Sequence, residues 1–142
     1  MKKSLYLLLL AVTAMALSSC DLDDDTNFYY VSLPVTSVEL PEAFELNETY
    51  EIKVKYIRPD NCTYFEGFDV SKTDTTTRNV VVVGTTLDDV DCMETEQEVE
   101  NTFNFVVLYT DTYLFRFWTG ENEDGEQEYL ELEVPVLPAS EE

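Results

Sequence analysis

Thirty carboxylates, three cysteines and no histidine frame the chemistry open to this 142-residue chain. Without an imidazole there is no histidine-based nucleophilic triad, no histidine metal site and no ordinary general base near neutral pH. Carboxylate pairs arise by chance among so many acids, and a small β domain has no deep cleft in which to raise the pKa of one partner. The chain is therefore expected not to be an enzyme and to need no cofactor. The acidic stretches Asp88-Asp89-Val90-Asp91 and Gly120 to Glu126 carry the loop oxygens that calcium uses, which makes Asp88, Asp89, Asp91 and Asp124 calcium candidates. The second stretch is no EF-hand: with Gly125 on the invariant glycine, Gly120 falls where the first ligand belongs, and neither flank reads as helix. Trp118, the single tryptophan, shares a strand face with Arg116 beside a loop. A flat ring there could stack on a sugar, extended by Tyr64 and Tyr129, or could simply close the end of a core.

These residues sit on a strongly acidic frame. The formal net charge is −22. Loss of an N-terminal segment containing Lys2 and Lys3 leaves six basic residues against thirty acidic ones, a charge of −24. Such a surface repels phosphate backbones, so nucleic-acid binding is excluded; its plainest role is solubility and self-repulsion, which favours a monomer. At 44% apolar and 13% aromatic the chain is nevertheless rich enough to bury a core, with room for one domain.

The leader supplies the address. Met1-Lys2-Lys3 is a positive start, and Leu5 to Leu17 is an apolar run too short to span a bilayer comfortably, so residues 1–19 read as a secretory signal. Leu17-Ser18-Ser19-Cys20 resembles the bacterial lipobox, which implies diacylation of Cys20 and cleavage before it. Two or three acyl chains give lasting membrane attachment where one would be marginal. Asp21, Asp23, Asp24 and Asp25 directly behind it are similar to the export signal of Bacteroidetes lipoproteins, implying the outer face of the outer membrane. Residues 20–27 then form an acidic tether that holds the domain at most about 25 Å from the lipid. With Cys20 acylated, Cys62 and Cys92 remain as an even pair in an exported chain, and a disulfide between them is the economical inference. Its loop of about 30 residues corresponds to roughly 3–4 kcal/mol of chain entropy.

The elements that must position these residues are short strands. Phe28 to Leu40 is β-branched and aromatic but interrupted by Pro34, which predicts a broken or edge strand. Tyr50, Ile52, Val54 and Tyr56 alternate with charged residues in the clearest period-2 pattern of the chain, followed by a turn at Arg58-Pro59-Asp60-Asn61. Cys62 to Val70 predicts a strand with a bulge or a close backbone approach at Gly67. Val80 to Val83 reads as a strand buried on both faces, and Leu87 to Glu98 as the longest irregular stretch. Thr102 to Tyr109, Thr112 to Thr119 and Glu128 to Val136 complete the set, with a turn at Asp124-Gly125 and an edge signal at Pro135. Asp111-Thr112-Tyr113 has the placement of a tyrosine corner. The expected fold is all-β: a single immunoglobulin-like antiparallel β-sandwich of about seven strands over residues 28–138, with a short acidic tail at 139–142.

Cys62-Thr63-Tyr64-Phe65-Glu66-Gly67-Phe68, a second cysteine about 30 residues on, and Tyr113-Leu114-Phe115-Arg116-Phe117-Trp118-Thr119-Gly120 together resemble the β-sandwich C-terminal domain of the NigD-like lipoproteins of Bacteroidetes. The resemblance spans about Tyr50 to Val136 and implies the fold and the envelope address. The expected function is that of a non-catalytic outer-membrane surface lipoprotein, a binding or accessory module for an envelope or host-surface partner. The alternatives are glycan capture by a surface aromatic platform and a calcium-stabilised structural module. Asp74-Thr75-Thr76 also resembles the short acceptor motif of Bacteroidetes O-glycosylation.

Overall fold

The computed structural model describes residues 1–4, 27–88 and 90–138. The rest of the signal segment, Cys20, Asp21, Asp23, Asp24, Asp25, Asp89 and the tail at 139–142 lie outside the described residues. Among the described residues the chain folds as an all-β, immunoglobulin-like sandwich. Its strands are β1 (Phe28–Leu33), β2 (Val35–Glu39), β3 (Phe44–Glu45), β4 (Thr49–Asp60), β5 (Thr63–Lys72), β6 (Thr77–Leu87), β7 (Glu94–Val106), β8 (Tyr113–Glu121), β9 (Gln127–Val134) and β10 (Val136–Leu137).

One sheet is built around β6. Strand β5 pairs along one edge of it, and two strands share the other edge: β1 from Val82 to Leu87 and β8 from Thr77 to Val80, with β9 beyond β8. The second sheet has the order β2-β4-β7. Most pairings are antiparallel as expected, but β6 with β8 and β3 with β10 are parallel. Pro34 stands where the chain leaves the first sheet and enters the second, because a residue without an N–H cannot continue the ladder. Pro135 separates β9 from β10 in the same way, and Phe44 N–H donates to its carbonyl at 2.8 Å.

Aromatic residues fill the space between the sheets. Phe44, Tyr56, Tyr113, Phe115 and Phe117 are fully buried, and Phe105 meets Tyr113 and Phe115 edge-on at centroid distances of 5.2 and 5.0 Å. Each such side chain contributes roughly 1.5–3 kcal/mol through the area it removes from water. The alternation on β4 and β8 is as the sequence predicts: Ile52, Val54 and Tyr56 face in, as do Tyr113, Phe115 and Phe117. The Tyr113 hydroxyl accepts the backbone N–H groups of Leu108 and Tyr109, both at 3.1 Å, which is the expected tyrosine corner.

Three local expectations are corrected and a fourth, the bulge at Gly67, is met. Val80 and Val82 are buried but Val81 and Val83 are half-buried, so β6 has one core face and one outer face, as befits a two-layer sandwich with solvent outside. Strand β4 runs through Pro59 to Asp60 by a register shift between Arg58 and Asp60, leaving the proline unpaired, so the turn moves to Asn61. The stretch Leu87 to Glu98 is irregular only in its first half: residues 88 and 90–93 are in no strand, but β7 begins at Glu94 because β4 offers it a long partner, setting Lys55 opposite Glu100 and Arg58 opposite Gln97. At Gly67 the bulge is present, with its shift between Phe65 and Gly67, but there is no close approach. The tight glycine is Gly84, where a Cβ would lie 2.9 Å from Leu33 Cδ1 and 3.1 Å from the Tyr64 carbonyl oxygen.

Candidate binding surface

Cys62 and Cys92 form a disulfide that joins the start of β5 to the segment before β7 across 30 residues. Neighbouring bonds reinforce it. Asp60 Oδ1 accepts Cys62 N–H at 2.9 Å and the Thr63 hydroxyl at 2.8 Å, while Met93 N–H donates to Asn61 Oδ1 at 2.8 Å. With Thr63 and Thr86 buried and hydroxyl to hydroxyl at 2.9 Å, this end of the sandwich is cross-tied independently of its hydrophobic core. A cleft of about 400 Å³ opens beside it, lined by Leu33, Pro34, Ile57, Pro59, Asp60 and Glu96 among others.

The sequence-nominated aromatics all lie on the outer face of the β6 sheet but in two groups. Trp118 and Tyr129 are cross-strand partners on β8 and β9. The Trp118 indole N–H donates to Gln127 Oε1 at 2.6 Å. The Arg116 guanidinium lies 4.3 Å from the centre of the Tyr129 ring and is held there by Glu131 at 2.8 Å. Trp118, Tyr129 and Arg116 are half-buried, so the cluster is both braced and accessible. Tyr64 is elsewhere. It lies on β5 opposite Thr85, across β6 and five residues beyond Val80, the partner of Phe117. Trp118 is one residue further along the parallel β8, so four strand rises, roughly 13 Å, separate it from Tyr64 along the strands with β6 between them, and Tyr64 does not extend that platform.

Tyr64 instead belongs to an aromatic group that sequence reasoning missed. Tyr30 on β1 also pairs with Thr85, so Tyr30 and Tyr64 flank that threonine in one row across three strands. Phe28 touches Tyr30 edge-on at 5.8 Å. Only the alternation in Phe28-Tyr29-Tyr30 hinted at this, and the sharing of one β6 edge by β1 and β8 was not readable from spacing.

The described calcium candidates, Asp88, Asp91 and Asp124, are not gathered into one site. Among the described residues no three histidine, cysteine, aspartate or glutamate side chains stand close enough to hold a metal ion. The hairpin tip with Asp124 is closed by its own bonds: Asn122 Oδ1 accepts the N–H groups of Asp124 and Glu126, both at 2.9 Å, and Gly125 takes the positive φ the turn requires. Asp88 N–H donates to the Asn27 carbonyl oxygen at 2.7 Å, tying the entry of β1 to the exit of β6.

Two ring hydroxyls are perturbed. Burial pushes the Tyr56 phenol above its ordinary range. The hydrogen bond from Lys72 Nζ, at 3.0 Å, and the charge behind it draw Tyr109 below. Comparison of the chain with protein-family models, curated proteins and solved structures finds no match.

Proposed function

We propose that this chain is a lipid-anchored surface module that acts by binding another protein of the envelope or host surface and not by catalysis. Acylation at Cys20, display on the outer face of the outer membrane through Asp21, Asp23, Asp24 and Asp25, and kinship with NigD-like lipoproteins are parts of the same reading, supported by the leader and the motifs behind it. The observation that carries the binding role is the braced cluster of Trp118, Tyr129 and Arg116 on the open face of β8 and β9. Tryptophan, tyrosine and arginine are the side chains that concentrate binding energy at protein interfaces, and here their conformations are set before a partner arrives.

Crosslinking on intact cells tests it. Wild-type protein should be captured with a reproducible partner and Trp118→Ala should lose it, with the melting temperature little changed. Equal capture by both forms would refute the assignment of the site. Intact-mass analysis showing an unmodified Cys20 would refute the anchor. Unchanged protease accessibility after Asp23, Asp24 and Asp25 are replaced by alanine would reduce the aspartates to a tether.

Glycan capture is the second reading, favoured by the pairing of Trp118 with Tyr129 on one sheet face. The Arg116 side chain over the Tyr129 ring occupies the stacking face a sugar would use, which places the protein partner first. A glycan array showing binding that depends on Trp118 would reverse that order.

A further inference from the structure

Exposed large apolar side chains are concentrated at the disulfide end of the sandwich. Phe28, Tyr30 and Tyr64, on the outer face of the β6 sheet, are 55%, 64% and 51% exposed; Tyr29, on the other face of β1 at the mouth of the cleft, and Met93, in the segment leading to β7, are 51% and 66% exposed. The first three belong together by register: Phe28 pairs with Leu87, and Tyr30 and Tyr64 both pair with Thr85, near the Cys62–Cys92 bond. Exposed aromatic rings gathered on one face in this way mark a contact site.

The chain itself says what it meets. Seven residues separate Cys20 from Phe28. Fully extended, they reach about 25 Å, so the end of the sandwich where β1 begins is kept near the lipid headgroups and the opposite end is not. We infer that the disulfide end rests on the lipid surface, with Phe28, Tyr30 and Tyr64 as its contact residues. This rests on acylation of Cys20. Tyrosine suits the place, since its ring is apolar and its hydroxyl stays in the hydrated headgroup layer. Asp88, Asp91, Glu94 and Glu96 at the same end repel anionic headgroups, so the contact is expected to be strongest on an uncharged or zwitterionic lipid surface.

The test uses the full-length chain, acylated by the cell that makes it and reconstituted into phosphatidylcholine vesicles with brominated acyl chains. A Tyr30→Trp substitution in a Trp118→Phe background places the only indole in the contact row; the unsubstituted chain reports from Trp118. The inference expects the protein to float with the vesicles and the emission of the introduced indole to be quenched several-fold more than that of Trp118. Adding Phe28→Ser and Tyr64→Ser should remove most of the quenching. Should Tyr30→Trp lower the melting temperature, Tyr64→Trp across β6 replaces it as the reporter. Flotation with equal or no quenching at these positions overturns the contact and leaves the anchor standing. Failure to float overturns both.

Discussion

Replacing Tyr113 by phenylalanine isolates the corner from the core. The ring is fully buried against Phe44, Phe105 and Phe115, and phenylalanine retains those contacts. What disappears is the hydroxyl that accepts from Leu108 N–H and Tyr109 N–H. An acceptor removed from buried donors costs about 1–3 kcal/mol for each group stranded. Leu108 is exposed, so water can reach its N–H, while Tyr109 is half-buried. The expected loss is therefore about 1–3 kcal/mol in all, not twice that. In a domain of this size it corresponds to a fall of roughly 4–15 °C in melting temperature. Tyr113→Ala also opens a cavity and should lose about 3 kcal/mol more. Urea unfolding of both variants with the disulfide intact gives the two values separately. A phenylalanine variant within about 0.3 kcal/mol of wild type would show that the hydroxyl contributes nothing and that the corner is only a well-packed ring.

Reduction of Cys62–Cys92 should lower stability by about 3–4 kcal/mol, read from thermal melts with and without reductant under non-aggregating conditions. Gly84→Ala should cost about 1–3 kcal/mol, because the new methyl meets Leu33 and the backbone of β5, whereas Gly67→Ala meets nothing and should be neutral; denaturation midpoints compare them. In an ultraviolet titration Tyr109 should ionise before Tyr56, and Lys72→Met should return Tyr109 towards its ordinary value of 10.0. The signs differ in linkage. The raised phenol of Tyr56 contributes stability that is intact below pH 10 and lost as pH rises from there through its folded pKa, while the lowered phenol of Tyr109 contributes stability that appears as pH rises through its folded pKa towards 10.

Alternation made much of the fold legible. Ile52, Val54 and Tyr56, and again Tyr113, Phe115 and Phe117, declare an inward face by period alone, and Pro34 declares the break between β1 and β2. The disulfide was legible from cysteine parity. Two kinds of feature were not. The acidic start of β7 has no apolar periodicity, and its strand character comes from β4 lying beside it, a partner local sequence does not reveal. The four-valine run reads the same whether one face or both are covered, since which layer lies outside β6 is decided by distant segments. Trp118 and Tyr129 are recognisable as a pair because a strand and its hairpin partner are close in sequence; Tyr64 does not join them because β5 and β8 are on opposite sides of β6.

The way β1 lies on β6 bears on how the domain carries load. Its first residue, Phe28, faces the end of β6, and six successive residue pairs run from there to Leu33. Inter-strand bonds lie perpendicular to the strands, so a pull on Phe28 along β1, away from the sandwich, strains those bonds together in shear instead of unzipping them one at a time. Past Pro34 the same segment continues as β2 against β4 in the other sheet. A pull on the residues before Phe28 would thus be shared by both layers before either can peel, with β1 and β2 bearing the load together.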